Sequence, residues 1–536
     1  MKLTNIITKA FVGSLICSSL LTSCIDETFP TSQATKDQVG KSPTATEALV
    51  NAIPAYAKAV WWSWDISYSW GLGAMMHIRD VMTEDLATVD NEFDWFWMWA
   101  NCTGIGQDRL CTQFLLQYPY KYILNTNNII GTIDPKTATD EQKGYLGVAQ
   151  ANRAMMYLDI ARMFEFLPNK VTSNINADGN DVTGLTVPII KPNMSNDSAR
   201  VNPRATKEKM TAFILEDLKN AEQNIIHLKS TRGQTLPDLA VVYGLEARLY
   251  LWMGDYANAE KAARNAINNA SVQPMTEKDC LDPKTGFNQA NKWMWAVQYT
   301  KDDETVKDGW LNWTSWKSNE ITYGYLQNPC KQMIGKSVYD RIGDTDFRKL
   351  MWKAPDDSPL AAKNVYVDNK FKSILPTYAS LKWRPGEGRF DDMITGESTA
   401  YPLMRVEEMY FIEAEAAAHQ DMARGKKLVE DFMRNYRDKQ YSATASTKDA
   451  LVEEIVFQKR VELWGEGQTF FDVKRLNYSV KRGYPGTNFY ERCRFNTDGR
   501  PAWMNIVFVD QEQINNKALV GWNNPDPSNK YTPWVK

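Results

Sequence analysis

The sequence predicts a mainly α-helical protein, one scaffold of helix hairpins interrupted by an irregular, loop-rich insertion. Three observations carry that expectation. Apolar and small residues recur three or four positions apart over long stretches; two such stretches meet at a tight glycine-bearing turn; and between residues 270 and 400 the period dissolves among Gly, Pro, Asp, Asn and Trp. The chain has 536 residues, 43% apolar and 24% charged, which is a globular composition with ample material for a core. Lys and Arg number 62 against 65 Asp and Glu, so the basic excess that binding a nucleic-acid backbone demands is missing. One count is unusual: 19 Trp against 20 Phe. Indole needs burial for its ring and a partner for its N–H, so the excess calls for a use.

The N-terminus is an address. Lys2 and Lys9 precede an apolar run from Ala10 to Leu21, which is too short to span a bilayer as a helix and marks residues 1–23 as a secretory signal. It ends in Leu21-Thr22-Ser23-Cys24, which resembles the lipobox of bacterial lipoproteins and implies that Cys24 is the lipidated mature N-terminus. Residues 24–45, with Gly40, Pro30, Pro43 and many Ser and Thr, are expected to form a flexible tether, and residues 46–536 a single folded domain.

The helices of that domain follow from their periods. Leu146, Ala149, Tyr157, Ile160, Ala161 and Phe164 share one face of a helix stopped by Pro168; Met210, Phe213, Leu218, Ala221, Ile225 and Leu228 share one face of the next. Between residues 237 and 269 one helix bears Tyr243, Ala247 and Tyr250, turns at Gly254-Asp255-Tyr256, and a second carries Ala259, Ala263 and Ala266. The small residues permit close antiparallel packing and Gly254 the turn, so the unit resembles a tetratricopeptide hairpin. Residues 405–418 and 423–437 form a second pair. Such hairpins must stack on neighbours to bury their faces, which favours one continuous scaffold.

Residues 450–476 read ALVEEIVFQKRVELWGEGQTFFDVKRL. This stretch resembles the C-terminal signature of the SusD/RagB family of outer-membrane nutrient-binding lipoproteins, through Arg460, Glu462, Leu463, Glu466, Gly467, Phe471, Asp472 and Arg475. Segments at 120–130, 161–168, 203–223, 237–269 and 401–416 agree in order, so the resemblance spans nearly the whole chain. It departs at Lys459 and Thr469, where the family often has an acid and an arginine, and at Ile506-Val507-Phe508, which replaces a proline-flanked triplet. The resemblance implies a protein anchored by lipid to the outer membrane and facing the cell exterior. It would capture a glycan, deliver it to a SusC-like TonB-dependent transporter, and do no chemistry. The alternatives are oligopeptide capture, as in the RagB branch, and a surface glycoside hydrolase.

Enzyme and metal readings find little support in the residues. Cys102, Cys111, Cys280, Cys330 and Cys493 are scattered without a C-x-x-C, and His77, His227 and His419 lie far apart, so neither a metal nor any other cofactor is expected. Asp178, Asn180 and Asp181 are rich in oxygen but lack calcium-loop spacing. Glu462 and Glu466 share a helix face, yet the nearby Lys459, Arg460, Lys474 and Arg475 assign them to charge pairing.

The tryptophans are the candidate ligand contacts. A pyranose has an apolar face rimmed by hydroxyls; an indole covers the face while polar side chains bond the rim. Trp95, Trp97 and Trp99 would lie on one side of an extended segment, whereas in a helix Trp97 would diverge. These three, with Trp310, Trp313 and Trp316, are candidates for ligand contact or for packing, with Arg79, Asp80 and Asn101 as polar partners. Trp61, Trp62, Trp64 and Trp70 are expected to pack in the core.

Overall fold

The structure of the protein, a computed structural model, describes residues 36–91, 93–325 and 330–535. The signal segment and Cys24 lie outside the described residues. The longer helices are α1 (Pro43–Tyr56), α2 (Gly71–Val81), α3 (Leu110–Ile130), α4 (Asp140–Phe164), α5 (Lys207–Ile225), α6 (Leu239–Met253), α7 (Tyr256–Asn269), α8 (Val406–Gln420), α9 (Met422–Tyr436), α10 (Lys448–Glu462) and α11 (Thr469–Arg475). The body begins earlier than the expected end of the tether: Lys36–Gly40 is already helical, and Ser42 caps α1, its hydroxyl accepting from the Ala45 amide.

Helices α3 to α7 each pack on the next, α8 packs on α7, and α9 and α10 pack on α8, which makes the continuous stack that the periods predicted. Helix α4 is buried along nearly its whole length, with Thr139 and Gln142 forming a reciprocal cap at its start. The α6–α7 turn has Gly254 at φ +76°, a left-handed conformation that costs a residue without Cβ nothing. The α8–α9 turn uses another device. Asp421 accepts hydrogen bonds from the Ala423 and Arg424 amides, and Gly425 lets the helices touch, since a Cβ there would lie 2.5 Å from Ala418.

The segment 270–400 is mostly loop and short helix, as expected, but it is tied into the molecule by two antiparallel ladders. Strand β1 (Leu86–Thr88) pairs with β3 (Gln332–Ile334), and β2 (Trp295–Gln298) with β4 (Ala400–Met404). Trp293, Trp295, Trp313, Trp316, Trp352 and Trp383 are fully buried. Most of the indole excess is therefore core: large rings fill space that irregular backbone leaves between elements.

The buried charges of the 450–476 stretch are interior struts. Glu462 accepts from Arg348, Arg405 and Arg437, and Glu466 from Lys382 and Arg405. Within the same stretch, Lys459 pairs with Asp472 at 2.9 Å and the Thr469 hydroxyl donates to Asp85 at 2.8 Å. The five described cysteines are free and buried.

Candidate ligand-binding site

Loop 89–103 builds the candidate site, and its shape follows from which aromatic side chains it buries. The Phe93 amide donates to the Asn91 side chain and the Phe96 amide to Asp94, so the backbone turns sharply and enters a short helix, Trp97–Ala100. Phe96 and Trp99, three residues apart, share the inner face of that turn. The Phe96 ring meets Trp316 edge-on at 5.7 Å, and Trp99 meets Tyr68 at 5.1 Å. Trp95 and Trp97 are left outside, 42% and 39% exposed.

This loop is pinned from several sides. The Tyr325 hydroxyl donates to Asp94 at 2.8 Å and accepts from the Trp95 amide at 2.6 Å. The Arg482 guanidinium donates to the carbonyls of Val81, Thr83 and Ala100. The Tyr490 hydroxyl donates to the Asn101 side-chain oxygen at 2.7 Å, and the Asn101 amide nitrogen, without a partner among the described residues, remains to donate outward.

Two cavities share Trp97, Asn101 and Arg492. One, of about 160 Å³, is lined also by Asp90, Asp94 and Tyr490; the other, of about 480 Å³, by Phe495, Tyr531 and Pro533. Arg492 pairs with Asp90 at the rim. Burial pushes the Asp94 carboxyl above its usual range, because the hydrogen bonds from Phe96 and Tyr325 compensate only in part. The groove thus offers indole and apolar rings beside amide, guanidinium and carboxyl groups, a surface suited to a polyhydroxylated ligand.

Other sequence candidates belong elsewhere. Trp99, Trp313 and Trp316 are sealed inside and cannot form an open platform; Trp313 stacks on Tyr401 at 4.7 Å. Trp310 is half-buried, its carbonyl accepting from the Trp316 indole at 2.8 Å. Arg79 and Asp80 are buried struts: Arg79 pairs with Asp159 at 2.7 Å, and Asp80 with Lys317 at 2.7 Å while accepting the Gly467 amide. Conversely, Trp62 and Trp64, expected in the core, are 56% and 50% exposed, while Trp61 and Trp70 are buried. Tyr490, Arg492, Phe495 and Tyr531 went unread, because irregular segments carry no period that would reveal what folds back onto the loop. Among the described residues, no group of three His, Cys, Asp or Glu side chains is placed to hold a metal, and no helix is long and apolar enough to cross a membrane.

Residues 376–534 match the family model described as SusD family. No curated protein matches the chain. Solved structures share its fold over most of their length. A SusD-like carbohydrate binding protein from Bacteroides vulgatus is 20% identical with a TM-score of 0.68, covering 89% of this chain and 97% of that one. A SusD superfamily protein from Bacteroides thetaiotaomicron is 17% identical, TM-score 0.66, covering 89% and 98%. A putative sugar binding protein from Bacteroides vulgatus is 19% identical, TM-score 0.64, covering 89% and 97%.

Proposed function

From the match of residues 376–534 to the SusD family model and the fold shared with SusD-like structures, we propose that this chain is a SusD-like protein that captures a glycan in the groove beside Trp97. Lipid on Cys24 would hold it at the outer membrane, where it passes the glycan to a SusC-like TonB-dependent transporter. The observation that carries the reading is a pair of exposed indoles, Trp95 and Trp97, held by a loop whose intervening Phe96 is locked in the core. A ring held still in water loses little entropy when a sugar docks on it. The carbohydrate- and sugar-binding descriptions of two structures with this fold support the same ligand class.

Binding without turnover fits the carboxylates of the groove. Asp90 is engaged by Arg492, and Asp94 by Tyr325 and the loop backbone. Both nevertheless line one cavity beside an indole, so the test reads cleavage as well as binding.

Native gels cast with a panel of polysaccharides, together with a reducing-end assay, provide it. Retardation by at least one polysaccharide is expected, with no release of reducing ends, and Trp97→Ala should weaken retention at least about tenfold without lowering the melting temperature. Retention unchanged in both Trp95→Ala and Trp97→Ala would remove the groove from the reading; quenching of indole fluorescence by a peptide mixture, with no polysaccharide retained, would move it to peptide capture.

A further inference from the structure

We infer that the face built by residues 120–124, 173–182, 188–202 and 510–522 rests on the lipid surface to which Cys24 ties the chain; the inference takes the lipid anchor from the proposed function and adds the surface that meets the bilayer. Its first support is a concentration of exposed apolar side chains. Leu124, Ile175, Val201, Ile514, Val520 and Trp522 are all exposed, Ile514 at 70%. Single exposed apolar residues are ordinary, but these six sit on segments that touch one another.

The hydrogen bonds show that contiguity. Tyr120, one helical turn before Leu124, donates its hydroxyl to the Pro188 carbonyl at 2.6 Å. The Lys517 amide donates to the Arg200 carbonyl at 2.8 Å, setting the 510–522 segment beside Val201. The Asn180 side chain donates to the Gly521 carbonyl at 2.8 Å, which brings the Ile175 loop against Val520 and Trp522. A groove of about 360 Å³ lies among them, lined by Tyr120, Ile190, Arg200 and Glu512.

The second support is where the chain enters the body. The Lys36 ammonium donates to the Asn193 side chain at 3.1 Å, so the described chain starts on the same 188–202 segment. From Cys24 to Lys36 is a dozen steps, which reach at most about 40 Å fully extended. The anchor therefore keeps the point where the chain enters this face within about 40 Å of the lipid. An indole and branched aliphatic side chains suit the boundary between headgroups and acyl chains, where a ring is half solvated and an alkyl group leaves water.

The test uses the full lipidated chain reconstituted into vesicles of phosphatidylethanolamine and phosphatidylglycerol, with and without brominated acyl chains. Brominated lipid is expected to quench part of the indole fluorescence, and Trp522→Phe to remove most of that quenching while Trp97→Phe leaves it. In parallel, the full chain carrying Cys24→Ser should co-sediment weakly with the same vesicles, and Ile514→Glu with Val520→Glu should cut that fraction at least about fivefold at an unchanged melting temperature. Quenching insensitive to Trp522→Phe, or co-sedimentation insensitive to the two charges, overturns the inference. Intact mass decides separately whether Cys24 is acylated; should it be unmodified, the anchor reading fails and the Cys24→Ser arm still decides for or against the face.

Discussion

Trp97 and Trp313 illustrate how one residue type divides between two jobs. Trp313, fully buried between Tyr401 and Trp383, should cost about 3–5 kcal/mol when replaced by alanine, read as a lower urea midpoint, whereas Trp97→Ala should leave that midpoint in place. Glu397 makes a second residue-scale prediction. Burial pushes its carboxyl well above the usual range, and among the described residues its side-chain partner is the Asn312 amide, which donates to it. A carboxyl whose folded pKa is raised keeps its proton in the native state while the unfolded chain releases it. Stability therefore falls as pH rises from the unfolded value near 4.3 toward the folded one. Glu397→Gln should match the parent near pH 4 and exceed it in thermal melts at pH 8. Which indoles face water was not legible. An extended segment would put Trp95, Trp97 and Trp99 on one side and a helix would turn Trp97 away from the other two; the single helical turn at 97–100 does neither, placing Phe96 and Trp99 inward and Trp95 and Trp97 outward. That turn is set by Asp94 and Tyr325, residues 231 apart, which no local pattern relates.

At the scale of elements, the hairpins were the legible part, because their turn chemistry and period are local. A methyl group at Gly254 would meet nothing within 4 Å, so Gly254→Ala isolates the cost of φ +76° itself. It should destabilise by about 1–2 kcal/mol, measured by urea denaturation, with ligand retention unchanged. The α8–α9 turn was harder to read because no left-handed glycine marks it: Asp421 is extended there and caps the start of α9. The two ladders were not legible at all. Each strand is three to five residues long, and β1 finds its partner across more than two hundred positions, so period-2 alternation has no length in which to show.

For the whole molecule, acid should be the sensitive axis. Burial alone would raise Glu462, but the guanidinium groups of Arg437 and Arg405 outweigh it and hold the carboxyl well below its usual range; Lys459 and Arg475 likewise bring Asp472 to about 2. Folded values below the unfolded ones mean that this stabilisation is complete above about pH 5 and is lost as pH falls through 4 toward 2. Melting temperatures measured from pH 6 to pH 2.5 should drop steeply over that window. Arg437→Met, which leaves Glu462 with fewer counter-charges, should lower the pH 6 value and flatten the slope. The division into scaffold and insertion was readable from composition, whereas the insertion's part in the core was not: its rings pack on α2, loop 89–103 and β4, all distant in sequence.

Arg482 has a consequence for how the molecule comes into being. Its three hydrogen bonds reach carbonyls 382 to 401 residues upstream, and Tyr490 and Tyr531 add walls made by the last part of the chain. A ribosome has therefore delivered every helix of the stack before it supplies the clasp that closes the recognition loop. On the proposed function, the nascent chain gains its binding groove only when its last segment is made, and a prematurely terminated copy would carry the architecture without the groove.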